Sequence, residues 1–304
     1  MSHENSEITE VAFAVDQYSE DCAFVAIHSM LMHAKSAVHV LILYDKHGQK
    51  PGKEWMTRVS SLDSKNRIRY IEVDISPYRS AKSLFNSWSN YLKLEAPNFA
   101  LGDRLIYSDA DVVFTADINE LCITNMDGKI LALNALSHNE RMFTCQECPE
   151  RERRVLYGAG RSPTDPYYGS GIALINCKEY LKSGIDLKCR EIAAKQSAFL
   201  LFQDQTLWNC ALEEGQISLI DMRWCQYPPM LASDQMTELT PGIIHFMGSP
   251  KPWDLFGEYF HRGHKLWAAA ARAAGLRHHA VRKYFRPADW KRFNKIQKQY
   301  RRFF

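Results

Sequence analysis

Long apolar runs are missing from this 304-residue chain: the longest, such as Val40-Leu-Ile-Leu-Tyr44, extend for only a handful of residues. A bilayer-spanning helix needs roughly 20. The amino terminus, Met1-Ser-His-Glu-Asn-Ser-Glu7, lacks the positive charge and apolar continuation of a secretory signal, so a cytoplasmic location is expected. Glycine and proline are sparse, at 15 and 12 residues, which excludes collagen-like and low-complexity chains. Eight cysteines lie mostly inside apolar segments, where a thiol behaves as a small hydrophobe, and this is reduced-compartment usage. Cys145-Gln-Glu-Cys148 has zinc or redox spacing, but no second Cys-x-x-Cys accompanies it, and a metal or redox role is disfavoured.

What is present is the composition of a globular chain with a substantial core, 46% apolar and 12% aromatic. The net charge of +3 conceals an uneven distribution. Residues 261–304 hold thirteen Lys or Arg against one acid, Asp289, for a local +12, and the first 260 residues sum to −9. Body and tail therefore face different partners, and the tail suits phosphate in some form. The expected organisation is one domain over residues 1–260 followed by a basic, aromatic tail over 261–304.

Short β-branched runs alternate with helical patterns in the first half. Strands are expected at Val11–Val15, Val38–Tyr44, Ile68–Val73 and Arg104–Tyr107. A helix carrying Phe24, Ile27, Met30, Leu31 and Ala34 would start at a Ser19 cap, and another would cover Glu54–Leu62. This is β-α-β-α, an α/β fold with a parallel sheet and helices on both faces. Further strands at Ile130–Leu133, Gly171–Ile175 and Ile243–Phe246, with helices near Leu187–Lys195 and Gln205–Leu212, continue it as a mixed sheet. Ligands of such sheets lie beyond the carboxyl ends of the strands, which directs attention to Asp16-Gln-Tyr18 and Asp109-Ala-Asp111.

Asp109-Ala-Asp111 follows an apolar strand, and a spacing of two puts both carboxylates on one side of an extended backbone. Together they suit a hard divalent cation such as Mn²⁺ or Mg²⁺, which can neutralise a nucleotide diphosphate. About one Asp-x-Asp is expected by chance in a chain of this composition, so the motif needs company. Ile244-His-Phe-Met-Gly-Ser-Pro-Lys-Pro-Trp253 supplies a strand-end His245 as a further ligand, a Gly248 that admits close approach, and a Lys251 flanked by prolines. Phe202-Gln-Asp-Gln-Thr-Leu-Trp-Asn209 sets a carboxylate beside an amide at a helix start, where Asp204 is otherwise simply a cap. Tyr167-Tyr-Gly-Ser-Gly-Ile-Ala-Leu-Ile-Asn176 runs from a glycine-rich turn into a strand.

In this order, from about Val11 to Trp253, the four blocks resemble the family 8 glycosyltransferases. The resemblance implies the GT-A nucleotide-diphospho-sugar transferase fold, a UDP-sugar donor, Mn²⁺ and transfer with retention of anomeric configuration. It further implies Asp109, Asp111 and His245 as metal ligands, Asp16 as a uridine contact, and Gly248 and Lys251 as diphosphate contacts. Breaking the anomeric bond leaves charge on UDP, which the metal and Lys251 would stabilise. Gln205 matches the family residue nearest the opposite face of the sugar. An amide is a poor nucleophile, which favours front-side attack, with Asp204 orienting the sugar or serving as an alternative nucleophile.

Three positions depart from the family pattern: Tyr91 in Asn90-Tyr-Leu-Lys-Leu94 replaces an arginine, Gly169 an asparagine, and Asn134 an aspartate. They leave the donor between UDP-galactose and UDP-glucose. Tail aromatics Trp267, Tyr284, Phe285, Trp290, Phe293, Tyr300, Phe303 and Phe304 interleave with Lys and Arg, as in helices lying on anionic bilayers. The expectation is a hexosyltransferase at the inner face of the membrane, acting on a lipopolysaccharide or lipooligosaccharide core. Two rivals stand beside it: a sugar-1-phosphate nucleotidyltransferase, and a non-enzymatic basic module for nucleic acid or membrane. The first needs a glycine-rich loop that Ala14-Val-Asp-Gln-Tyr18 lacks, and the catalytic blocks make a nucleic-acid partner less favoured.

Overall fold

The computed structural model describes residues 8–62, 67–83, 87–135, 150–162, 165–197, 200, 202–228, 239–248, 251–254 and 257–276. Nine strands are described: β1 (Thr9–Ala14), β2 (Val38–Asp45), β3 (Arg67–Val73), β4 (Arg104–Ser108), β5 (Val112–Phe114), β6 (Leu131–Ala135), β7 (Tyr168–Asn176), β8 (Ile217–Leu219) and β9 (Ile243–His245). Seven of them form one sheet in the order β3-β2-β1-β4-β7-β6-β8. Pairings β1–β2, β2–β3, β1–β4 and β6–β8 are parallel, and β4–β7 and β6–β7 are antiparallel. The expected mixed, mostly parallel sheet is therefore present.

Alternation along β1 divides the core between the two faces of the sheet. Val11, Phe13 and Val15 join one buried cluster with Val40, Ile42 and Ile106, and Ala12 and Ala14 join the other with Leu41, Leu43 and Leu105. Helix α1 (Glu20–His33) covers the first face with Phe24, Ile27 and Met30, each burial contributing about 1.5–3 kcal/mol. Its acidic first turn, Glu20 and Asp21, and its final His33 complement the helix dipole. Ser19 occupies the cap position without capping: its hydroxyl turns back to hydrogen-bond with Asp16. Helix α2 (Lys53–Ser60), a short α3 (Leu92–Glu95), α4 (Ile185–Gln196) and α5 (Asp204–Ala211) complete the layers that bear on the site.

Three expectations change. The strand at 243–246 does not extend the main sheet; it pairs antiparallel with β5, a strand that the short Val112-Val-Phe114 run did not announce. The glycines of 167–171 form no turn before a strand but lie inside β7 itself. Trp267, expected among membrane-facing aromatics, is 6% exposed on α6 (His264–Ala273) and packs against Trp253 with the rings tilted by 42° and centroids 5.0 Å apart. The tail from residue 277, and the Cys145–Cys148 pair, lie outside the described residues. Among the described residues no helix is long and apolar enough to cross a membrane.

Candidate active site

The site begins where β4 stops. Asp109 N donates to Gly171 O at 2.7 Å, holding the chain against β7 before it turns through Ala110 into β5. Register then does the assembly: β5 and β9 pair Val112 with His245, and Phe246 N donates to Asp111 O at 2.9 Å. His245 Nε2 thus lies 3.1 Å from Asp111 Oδ1 and 3.8 Å from Asp109 Oδ2. One ligand atom from each of the three residues falls within 4.8 Å of the others. Gly171 makes the space, since a Cβ there would overlap Cε1 and Nδ1 of His245 and approach Asp109 Oδ2 to 3.1 Å. Two carboxylates and an imidazole around a glycine-made cradle fit a hard divalent cation.

Positive charge closes this acidic cluster from two sides. Lys251 Nζ hydrogen-bonds Asp111 Oδ2 and, at 2.7 Å, Phe246 O, while its backbone N donates to Asp254 Oδ2 at 2.8 Å. Gly248 is exposed with φ 85°, a backbone that disfavours any side chain, and sits between His245 and Lys251. Lys93 approaches from α3 and is the residue that motif spacing did not single out. Its side chain is 2% exposed, and its Nζ lies 2.7 Å from Asp204 Oδ2, 3.0 Å from Asp109 Oδ1 and 3.0 Å from Ser170 O. Tyr107 Oη adds a second donor to Asp109 Oδ1 at 3.1 Å. A lysine between leucines, in Leu92-Lys93-Leu94, is the sequence signal that could have found it.

These contacts set the protonation states. Burial lifts the Asp109 carboxyl, partly offset by Lys93. Burial would also lift Asp111, but Lys251 and His245 outweigh it and hold that carboxyl well below the ordinary range. Burial lowers His245, yet the Asp111 carboxylate dominates and carries it to about 10, so a cation binding there displaces a proton. Lys93 stays charged because Asp109 and Asp204 overcome its burial.

Asp204 is not a helix cap. Gln203 occupies that position with φ 53°, a strained conformation for a residue with a Cβ, and Asp204 opens α5 with its side chain turned inward. Its Oδ2 receives Lys93 Nζ and, at 2.7 Å, Ser170 Oγ; its Oδ1 receives Asn90 Nδ2 at 2.9 Å. So engaged a carboxylate is a fixed acceptor and a poor nucleophile. Gln205 follows, half-buried in the same first turn.

Asp16 lies just past the end of β1, which neighbours β4 through Phe13 and Ser108. It is 6% exposed and its carboxylate accepts five hydrogen bonds, from Tyr18 N, Ser19 N and the Ser19 hydroxyl on Oδ1 and from the Ser87 and Ser89 hydroxyls on Oδ2. It lines a pocket of about 320 Å³ with Asp45, His47, Gly48, Arg79 and Trp88. Arg79 lies over the Trp88 ring at 4.9 Å and pairs with Asp45.

The three departing positions have definite places. Tyr91 is buried, stacked on Tyr78 with centroids 5.2 Å apart, and donates to Lys82 O at 2.9 Å. Asn134 and Gly169 face each other across β6 and β7, beside a register shift after Leu133.

A scan of family models matches residues 10–256 to glycosyl transferase family 8, and the chain belongs to that family. Curated relatives include general stress protein A of Bacillus subtilis, 24% identical over 83% of this chain and 91% of its own. The lipopolysaccharide 1,2-glucosyltransferase of Escherichia coli is 23% identical over 84% of this chain and 75% of its own. Among solved structures, the galactosyltransferase LgtC with donor and acceptor sugar analogues superposes with a TM-score of 0.71 at 18% identity, covering 87% of this chain and 96% of LgtC. The fold is that of the GT-A glycosyltransferases, and the protein is a glycosyltransferase.

Proposed function

We propose that this glycosyltransferase moves galactose or glucose from a UDP-sugar to a saccharide acceptor, retaining anomeric configuration and using Mn²⁺ or Mg²⁺. The observation that carries this reading is the convergence of Asp109, Asp111 and His245 on one point. Those three residues would hold the cation, which when bound supplies charge for the departing diphosphate. Lys251, with Gly248 beside it, supplies a further positive charge to the same diphosphate. The pocket behind Asp16 is suited to the nucleoside: Arg79 and Trp88 offer a flat wall, and Asp16 holds the Ser87 and Ser89 hydroxyls in place.

Retention with Asp204 fully engaged favours departure and attack on the same face of the sugar. Asp204 and Gln205 then orient and stabilise the sugar without forming a bond to it. The lipopolysaccharide glucosyltransferase among the relatives supports a lipopolysaccharide or lipooligosaccharide core as acceptor. Residues 1–260 are assigned to catalysis. The basic residues of 261–304 are assigned to reversible attachment at the anionic inner membrane face, each cation adding on the order of 1 kcal/mol.

The test is Mn²⁺-dependent UDP release across a donor panel, with Asp111→Asn as the control. Turnover should disappear in the variant while its circular dichroism is unchanged. Unaltered release would refute the metal assignment.

A further inference from the structure

A histidine that binds a metal through one ring nitrogen needs the other nitrogen held, because the wrong tautomer would aim an N–H at the cation. The usual holder is a carboxylate, a backbone carbonyl or water. Behind His245 there is a thiol. Cys225 Sγ lies 3.7 Å from His245 Nδ1, and Cys225 is completely buried. The same sulfur donates its hydrogen to Tyr227 Oη at 3.2 Å, and Asn134 Nδ2 donates to that oxygen at 2.9 Å.

When Nε2 is bound to a cation its lone pair is committed, and Nδ1 carries the N–H of the ring. Cys225 Sγ, 3.7 Å away, is the acceptor that this N–H meets. The sulfur has lone pairs free for it because its own hydrogen points at Tyr227 Oη. Before a cation binds, both ring nitrogens are protonated, Nε2 donating to Asp111 and Nδ1 to the same sulfur. The ring plane is fixed as well. Tyr227 packs against it at 5.6 Å between centroids, and Gly171 lies so close on Cε1 and Nδ1 that no side chain fits.

We infer that Cys225 is a positioning residue for the metal site, its sulfur accepting from His245 Nδ1 so that Nε2 is directed at the cation, with Tyr227 taking the thiol hydrogen. This rests on the metal reading above.

The experiment is Mn²⁺ affinity of the full chain, measured by electron paramagnetic resonance without donor sugar. Cys225→Ala should weaken binding by about 10–100-fold, the range for loss of a partner behind a metal-ligating histidine. Cys225→Val, which fills the apolar space without an acceptor, should do the same, and guards against a cavity effect in the alanine variant. Cys225→Ser keeps both a donor and an acceptor and should restore most of the affinity. In the Mg²⁺-loaded protein, ¹⁵N resonances should report His245 protonated at Nδ1 in the wild type, and a mixture of tautomers in Cys225→Val.

His245→Ala separates the two ideas. If it weakens Mn²⁺ binding and the Cys225 variants do not, the role of Cys225 is overturned. If it too leaves Mn²⁺ affinity unchanged, the metal reading fails and the role of Cys225 fails with it.

Discussion

Replacing Lys93 with methionine tests whether the site is held together by charge. The ammonium is 2% exposed and lies 2.7 Å from Asp204, itself 9% exposed, so Lys93→Met strands a buried carboxylate. Breaking a buried pair from one side costs about 3–5 kcal/mol. Asp109 also loses its partner at 3.0 Å, but it is 29% exposed and keeps the Tyr107 hydroxyl as a donor, so it adds less than Asp204 does. Unfolding entropy scales at about 2.1 cal/mol/K per residue, so the loss corresponds to a Tm lower by about 5–8 °C for a chain of this length.

The assay is thermal unfolding with and without Mn²⁺. Without metal the variant should melt about 5–8 °C below wild type. With metal it should gain more than wild type does, because a competing positive charge beside Asp109 is gone. Adding Asp204→Asn to Lys93→Met should recover part of the loss, since it removes the stranded charge. A double variant no more stable than the single one would refute the electrostatic account. The deficit would then come from lost packing of the lysine stem.

Gly171→Ala should leave Tm within a few degrees of wild type yet weaken Mn²⁺ binding by about tenfold or more, because the new methyl displaces the His245 ring; isothermal titration checks it, and unchanged affinity would show that the cradle is not needed. His261 is held to about 4 by burial, then by the charges of Lys251 and His264, against an ordinary 6.5. The unfolded chain therefore takes up the proton first as pH falls. Stability is lost between about 6.5 and 4, by up to about 3 kcal/mol, and His261→Gln should show a shallower fall in unfolding free energy from pH 7 to 5. Equal slopes would mean that His261 is not a buried neutral group. Deletion of residues 280–304 should reduce retention on anionic liposomes and spare donor hydrolysis in solution; equal retention would refute the anchoring role.

The sheet was legible because its signal is local. Val11–Val15, Val38–Tyr44 and Ile68–Val73 are apolar runs separated by helical periodicity, and the parallel pairing follows from that alternation. The strands that were missed, β5 and β8, are three residues each, too short for a period to register. β9 was read correctly as a strand and assigned to the wrong sheet, because nothing in Ile243-Ile-His245 states which edge it will join. The glycines of β7 were misread as a turn, since the reason for Gly171 is a histidine more than seventy residues away.

The same division runs through the site. Asp109, Asp111, His245, Lys251 and Asp204 were visible as residue types in ordered blocks, but what makes them a site is pairing between distant segments. The β5–β9 register brings His245 to Asp111. Lys93 then joins Asp109 to Asp204, so the cluster of acids and the opening turn of α5 share one buried ammonium. Three carboxylates gathered this closely would repel one another, and one would take up a proton. Two lysines placed on opposite sides let Asp111 stay ionised and let Asp204 remain an acceptor. Lys93 does its work from a short helix whose sequence reads as ordinary core, and for that reason a motif search passes over it while the burial of a lone lysine among leucines does not.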